Sequence, residues 1–199
     1  MEQIRLENEQ IEVTVNIHGA ELRSLKSKAD GQEYLWNADA KYWGRTSPVL
    51  FPFVGGVKNK VYRHEGKEYP MNQHGFARDR DFVLVQQGPH EVRFRLESDA
   101  DTLKVYPYLF ALEIGYRLQG RQVEVLWKVT NAGTKPMYFQ IGAHPAFYYP
   151  NYEADQPERG YFRFGEKRSL IYRALAEKGC VGDEVRPVPL DAEGLLPLA

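Results

Sequence analysis

Three things are scarce in this sequence, and each scarcity removes a class of protein. Cysteine occurs once, as Cys180, so no disulfide forms within the chain and a disulfide-stapled scaffold is excluded. Charge of one sign is not in excess: 26 Lys and Arg face 27 Asp and Glu, for a net charge of −1. A global attraction to nucleic acid or to an anionic membrane is therefore absent. Long hydrophobic runs are missing, and none approaches the roughly 18 residues that span a bilayer. The start, Met1-Glu2-Gln3-Ile4-Arg5, lacks the basic cluster and apolar stretch of a secretory signal. The expectation is a soluble cytoplasmic protein with no nucleic-acid or membrane partner.

Several chemical signatures are missing as well. The five histidines show no HxH, HxxxH or HExxH spacing and there is no second cysteine, which disfavours a metal site. No GxSxG, GxGxxG or Walker loop is present, so neither a serine hydrolase nor a bound nucleotide is indicated. Gly55-Gly56 followed by Lys58 and Lys60 is weak evidence of an anion site and reads as a turn. Helical periodicity is poor. One helical turn is expected within Asp99–Val105, ended by Pro107, and another at Arg173–Lys178.

What is present is aromatic residues and alternation. Tyr, Phe and Trp make 13% of the chain. Such rings favour pleated, half-buried surfaces, and they also cover the C–H faces of sugars; composition does not separate the two uses. Apolar residues recur at every second position: Ile11, Val13, Val15, Ile17; Val92, Phe94, Leu96; Leu112, Ile114, Tyr116, Leu118; Val123, Val125, Trp127, Val129. This pattern predicts antiparallel strands with one face buried. Gly88-Pro89 separates a Phe82–Gln87 run from the Glu91–Glu97 run, Gln119-Gly120 predicts a tight hairpin, and His64-Glu65-Gly66-Lys67 predicts a smaller one. After about residue 148 the pattern weakens, with short strands expected at Tyr161–Phe164 and Arg168–Tyr172 and none in Arg186–Ala199. The prediction is a nearly all-β protein of two packed sheets, one domain over residues 1–199.

Three segments interrupt the alternation. Asn72-Gln73-His74-Gly75-Phe76-Ala77-Arg78-Asp79 places an imidazole and a guanidinium around Gly75, which reads as a flexible joint. Gln140-Ile141-Gly142-Ala143-His144-Pro145-Ala146-Phe147 puts His144 at a strand end, where Pro145 biases it toward extended backbone and small residues leave room for a ligand. A histidine so placed can exchange a proton near neutral pH. Trp43 to Gly55 brackets an apolar stretch with Pro48 and Pro52 and carries Arg45, either a donor to sugar hydroxyls or phosphate or a surface arginine stacked on Trp43. His18, His64 and His90 lie at a strand end or in turns and read as structural.

These segments, with Gly19-Ala20-Glu21-Leu22, Tyr34-Leu35-Trp36-Asn37, Tyr106-Pro107-Tyr108 and Asn131, resemble the aldose 1-epimerase (galactose mutarotase) superfamily, in its LacX-like branch. The resemblance implies a galactose-mutarotase-like β-supersandwich, a pyranose cleft, and interconversion of the α and β anomers of a hexose without a cofactor. It implies two catalytic histidines, His144 as general acid and His74 hydrogen-bonded to the sugar. Arg78 and Arg45 follow as substrate-binding residues.

The family's general base is a glutamate on a strand near the C-terminus of a longer chain. Glu153, Glu158, Glu166, Glu177, Glu184 and Glu193 do not stand in that context, and none is nominated. The expectation is a domain lacking its C-terminal strands, with exposed strand edges and little activity alone. Two alternatives share the fold: a hexose-6-phosphate mutarotase, with Arg45, Arg78, Lys58 or Lys60 on the phosphate, and a non-catalytic carbohydrate-binding module. A third, an interaction protein, would use an exposed strand edge for pairing.

Overall fold

The computed structural model describes residues 2–149, 153, 155, 160–165, 169–176 and 181–198. They fall into two compact units, Met1–Tyr148 and Tyr149–Ala199. Cys180, Glu158, Glu166 and Glu177 lie outside the described residues.

In the first unit, β1 (Gln3–Glu7), β2 (Ile11–Asn16) and β3 (Leu22–Ser27) form an antiparallel three-stranded sheet. The short β4 (Val49–Leu50) follows, then the hairpin β5 (Val61–His64) and β6 (Lys67–Pro70). Next come β7 (Val83–Gln87), β8 (Glu91–Glu97), the single helical turn α1 (Thr102–Val105), β9 (Phe110–Gln119) and β10 (Gln122–Asn131). Strands β7 to β10 make a four-stranded sheet in the order β10-β9-β8-β7. Finally β11 (Gly142–Ala143) pairs antiparallel with β4. The nearly all-β reading, the Gln119-Gly120 hairpin and the turn before Pro107 are all present. Among the described residues no helix is long and apolar enough to cross a membrane.

Alternation does the packing. Val13 and Val15 on β2, Val92 and Phe94 on β8, and Leu112, Ile114 and Tyr116 on β9 are buried in one hydrophobic core. Each such side chain contributes roughly 1.5–3 kcal/mol by leaving water. The Tyr116 hydroxyl, buried with its ring, donates to the Ala20 carbonyl at 2.7 Å, which satisfies both polar groups and ties β9 to the β2–β3 connection. A cluster of rings continues the core: Phe51 meets Phe110 at 5.2 Å, Phe139 at 5.9 Å and Tyr106 at 6.0 Å between centroids. Much of the aromatic content is therefore structural.

One strand departs from expectation. The register sets Val125 opposite Tyr116 and Trp127 opposite Ile114, so the apolar row of β10 continues the core row of β9. Yet Val125 stays 47% exposed and Trp127 41% exposed. β10 is the edge of its sheet, and the described residues cover its inner face only in part.

In the second unit, β12 (Tyr161–Arg163) pairs with β15 (Leu195–Pro197), and β13 (Ile171–Leu175) pairs with β14 (Val181–Pro187). Two expectations are corrected here. The segment from Arg173 is strand through Leu175, not a helical turn, because cross-strand pairing overrides the helix propensity of its alanines. The stretch after Arg186 does end in a strand. The Asp191 carboxylate accepts the backbone N–H of Glu193 and Leu195 at 2.9 and 2.8 Å, and that turn returns the chain to β12.

Candidate active site

The site is assembled along the backbone around β4. On one flank, the His144 N–H donates to the Pro48 carbonyl at 3.1 Å and the Ala146 N–H to the Thr46 carbonyl at 2.9 Å. The far side of the same segment is tied to residues 34–36: Trp36 N–H donates to the Ala146 carbonyl and Tyr148 N–H to the Tyr34 carbonyl, at 2.9 and 2.8 Å. His144 is thus carried just past β11 on a segment held from both sides.

On the other flank, the His74 N–H donates to the Gly55 carbonyl at 2.8 Å, and the Phe51 carbonyl accepts the N–H of Phe76 and Ala77 at 3.0 and 3.1 Å. Gly75 is no flexible joint. A Cβ there would sit 2.1 Å from the Phe51 carbonyl oxygen, at a φ of +73°. Only glycine allows this close approach. His74 itself has a φ of 67°, a left-handed conformation that costs roughly 1–2 kcal/mol in a residue with a Cβ. The bracing of both neighbours maintains it.

The result is a meeting of two imidazoles. The rings of His74 and His144 lie 4.7 Å apart between centroids at an interplanar angle of 86°. His74 is half-buried and His144 exposed. The Gly55 N–H donates to His74 Nδ1 at 3.0 Å, so neutral His74 carries its proton on Nε2. Burial, then the charges of His144 and Arg78, hold its pKa below the ordinary imidazole value.

Arg78 lies in the same neighbourhood. Its Nη2 donates to the Gln73 carbonyl at 2.9 Å, and burial followed by repulsion from Arg45 lowers its pKa. Arg45 does not stack on Trp43 among the described contacts. It donates from Nη1 to the Arg78 carbonyl at 3.2 Å and pairs through Nη2 with Asp79. Arg45 also lines a cleft of about 410 Å³ with Asn16, His18, Glu21, Arg23 and Trp43, which neither His74 nor His144 lines. Lys58 and Lys60 occupy an exposed 3₁₀ turn.

One residue of importance carried no recognised role in the sequence. Glu21 is only 4% exposed, and its Oε1 accepts the backbone N–H of Thr46 and Ser47 at 2.6 and 2.9 Å and Arg23 Nη1 at 3.3 Å. It fixes the entry into β4. The only sequence signal is a glutamate set between Ala20 and Leu22. The remaining histidines have structural partners: His18 pairs with Asp81 at 2.7 Å, His64 with the Tyr108 hydroxyl at 3.2 Å, and His90 with the Glu7 carbonyl at 3.2 Å. Among the described residues no group of three or more His, Cys, Asp or Glu is arranged to hold a metal ion.

The aldose 1-epimerase family model matches residues 2–160. The chain belongs to the aldose 1-epimerase family. Within it, the chain is 37% identical over 183 residues to the chromosomal LacX protein of Lactococcus lactis subsp. lactis, an alignment covering 88% of this chain and 61% of that protein. The plasmid LacX protein of the same organism matches to the same extent. The chain thus spans about three-fifths of the length of the curated relatives it matches. A galactose mutarotase related enzyme from Lactobacillus acidophilus superposes with a TM-score of 0.92 at 33% identity, covering 100% of this chain and 65% of that one. A galactose mutarotase-like protein from Lactobacillus casei gives 0.88, also at 33% identity, over 99% of this chain and 67% of that one. The fold is that of the galactose mutarotase-like proteins.

Proposed function

We propose that residues 1–199 are one galactose-mutarotase-like domain that binds a hexopyranose and carries the acid side of anomer interconversion. The observation that carries this reading is the edge-on contact of His74 with His144, 4.7 Å between centroids. Family membership and the likeness to mutarotase-related structures support it.

Anomers interconvert through the open-chain aldehyde. The C1 hydroxyl loses its proton, the bond from C1 to the ring oxygen breaks, and the ring oxygen takes up a proton. Rotation about C1–C2 and the reverse transfers close the other anomer. Two imidazoles in contact do not both hold a charge readily. His74 is the one pushed toward neutrality; His144, the exposed member of the pair, donates to the ring oxygen as general acid, the role the family resemblance implies for it. Neutral His74, fixed by Gly55 at Nδ1, offers Nε2–H to the oxygen on which charge develops. Arg78 supplies a further donor.

Arg45 is already neutralised by Asp79, which favours a free hexose over a hexose 6-phosphate. No described glutamate is assigned as the base, so this chain binds sugar weakly and mutarotates slowly. Polarimetry on freshly dissolved α-glucose or α-galactose tests the assignment. A rate slightly above buffer that falls to the buffer rate in His144→Ala is expected. A small rate indifferent to both His144→Ala and His74→Ala would overturn the site. A fast, His144-dependent rate would show that a base is present after all.

A further inference from the structure

A second cleft, of about 440 Å³, is lined by His64, Glu65, Tyr69, Tyr108, Lys135 and Tyr138. It lies between the β5–β6 hairpin and the segment that follows β10. None of these residues belongs to the histidine site, and its volume falls within the roughly 300–1,000 Å³ typical of small-molecule sites.

The walls are fixed from several directions. Glu65 and Gly66 form the hairpin turn with φ values of 46° and 78°. Lys135 Nζ reaches Glu65 Oε1 at 3.2 Å. The Lys135 carbonyl accepts Asn131 Nδ2 at 2.8 Å, and the Tyr138 carbonyl accepts the Tyr106 hydroxyl at 2.8 Å. The chain carrying Lys135 and Tyr138 is therefore anchored at both ends. His64 and Tyr108 stand 5.1 Å apart between ring centroids, and Tyr62 stacks on Tyr69 at 5.4 Å. Burial, then the proximity of Tyr138, raises the Tyr108 hydroxyl pKa, so the phenol stays a neutral donor.

The chemistry of the walls selects a ligand. The ammonium of Lys135 and the carboxylate of Glu65 are paired with each other at 3.2 Å, so the charge that an ion of either sign meets here is already largely compensated. Tyrosine faces favour apolar C–H surface, and Tyr138 is 70% exposed, a large ring left in water beside the cleft. Hydroxyl, imidazole, carboxylate and ammonium groups in one small recess call for a ligand that both donates and accepts around its rim. A neutral ring with one apolar face and several hydroxyls meets all three conditions. We propose that this cleft binds a pyranoside, its C–H face on Tyr138 and its hydroxyls on Glu65 and Lys135. Because no proton transfer is involved, the anomeric oxygen of the ligand can be substituted, and the site is independent of the His74–His144 reading.

The test uses methyl β-D-galactopyranoside, which has no free C1 hydroxyl and does not mutarotate. Titration into the isotope-labelled chain should shift the amide signals of Glu65, Gly66 and Lys135. Tyr138→Ala and Lys135→Ala should each weaken binding about tenfold, the loss of a ring stack or of a charged hydrogen bond. Both side chains are exposed, so the variants fold, and the Glu65, Gly66 and Lys135 shifts saturate at the same glycoside concentration in His144→Ala. Shifts at His74 and His144 with none at Glu65, Gly66 and Lys135 would overturn the proposal. So would affinity unchanged in both cleft variants, or no shift at about 100 mM glycoside, the weak end of measurable affinity. Polarimetry reports separately on the histidine site.

Discussion

The backbone N–H of Gly55 donates to Nδ1 of His74 at 3.0 Å, and this one bond orients the His74 imidazole. It occupies Nδ1 and leaves Nε2 for the sugar contact proposed above. The same loop supplies the Gly55 carbonyl that accepts the His74 N–H, so the donor–acceptor pair closes on itself and holds a left-handed residue in place.

Burial, with the His144 and Arg78 charges behind it, keeps the His74 pKa low in the folded protein. The unfolded chain therefore takes up a proton near about pH 6.5 that folded His74 resists. Stability linked to this group is complete above the unfolded value and is lost as pH falls toward and through the lowered folded value. Urea midpoints should drop on acidification in the native chain. They should drop less in His74→Asn, which tolerates the backbone conformation. A native chain that gains stability on acidification, with no such gain in the variant, would contradict this account.

Gly75→Ala should destabilise by at least about 3 kcal/mol. The Cβ would drive the loop off the Phe51 carbonyl, lose its two hydrogen bonds and add left-handed strain. Gly66→Ala is the control. It shares a positive φ, but its Cβ meets nothing within 4 Å, so only about 1 kcal/mol is expected. Denaturant titration of both variants separates close approach from backbone strain.

Glu21→Ala should cost about 2–4 kcal/mol, because two buried N–H groups of Thr46 and Ser47 lose a charged acceptor. Glu21→Gln keeps an acceptor oxygen and should restore much of it. Amide exchange at Thr46 and Ser47 reads the difference directly: faster in Glu21→Ala, and close to native in Glu21→Gln.

Tyr116→Phe should destabilise by about 1–2 kcal/mol, since the Ala20 carbonyl is left buried without its donor. Burial raises the Tyr116 pKa strongly, so ultraviolet titration should show this phenol silent until the protein unfolds in alkali.

Much of the scaffold was legible because alternation is a local property. Successive side chains on a strand point to opposite faces, so Val92, Phe94 and Leu96 announce both a strand and the side that it buries. Exposed strand edges are expected from the family resemblance, but that β10 is the partly covered one is not legible, because Val125 and Trp127 look like core from their spacing and only strand order puts them at a sheet edge. The strand at Leu195–Pro197 was missed for a similar reason: three residues carry no period, and pairing with Tyr161–Arg163 makes them a strand. His74, His144, Arg78 and Arg45 stand out in the sequence as interruptions of the pattern and by family resemblance. Glu21 does not, because its task, accepting the N–H of Thr46 and Ser47, exists only once those distant segments meet.

The sequence by itself determined that this chain is built of strands, which rows of side chains leave water, and which short stretches stand outside that order. Tertiary structure alone decided that the His74 loop and the His144 segment flank the same short strand, that Gly75 presses against Phe51, and that Arg45 pairs its charge with Asp79. The reason is physical. A strand's pattern follows from neighbours two positions apart, whereas a site depends on which strands pair and in what register, a choice made by the whole core.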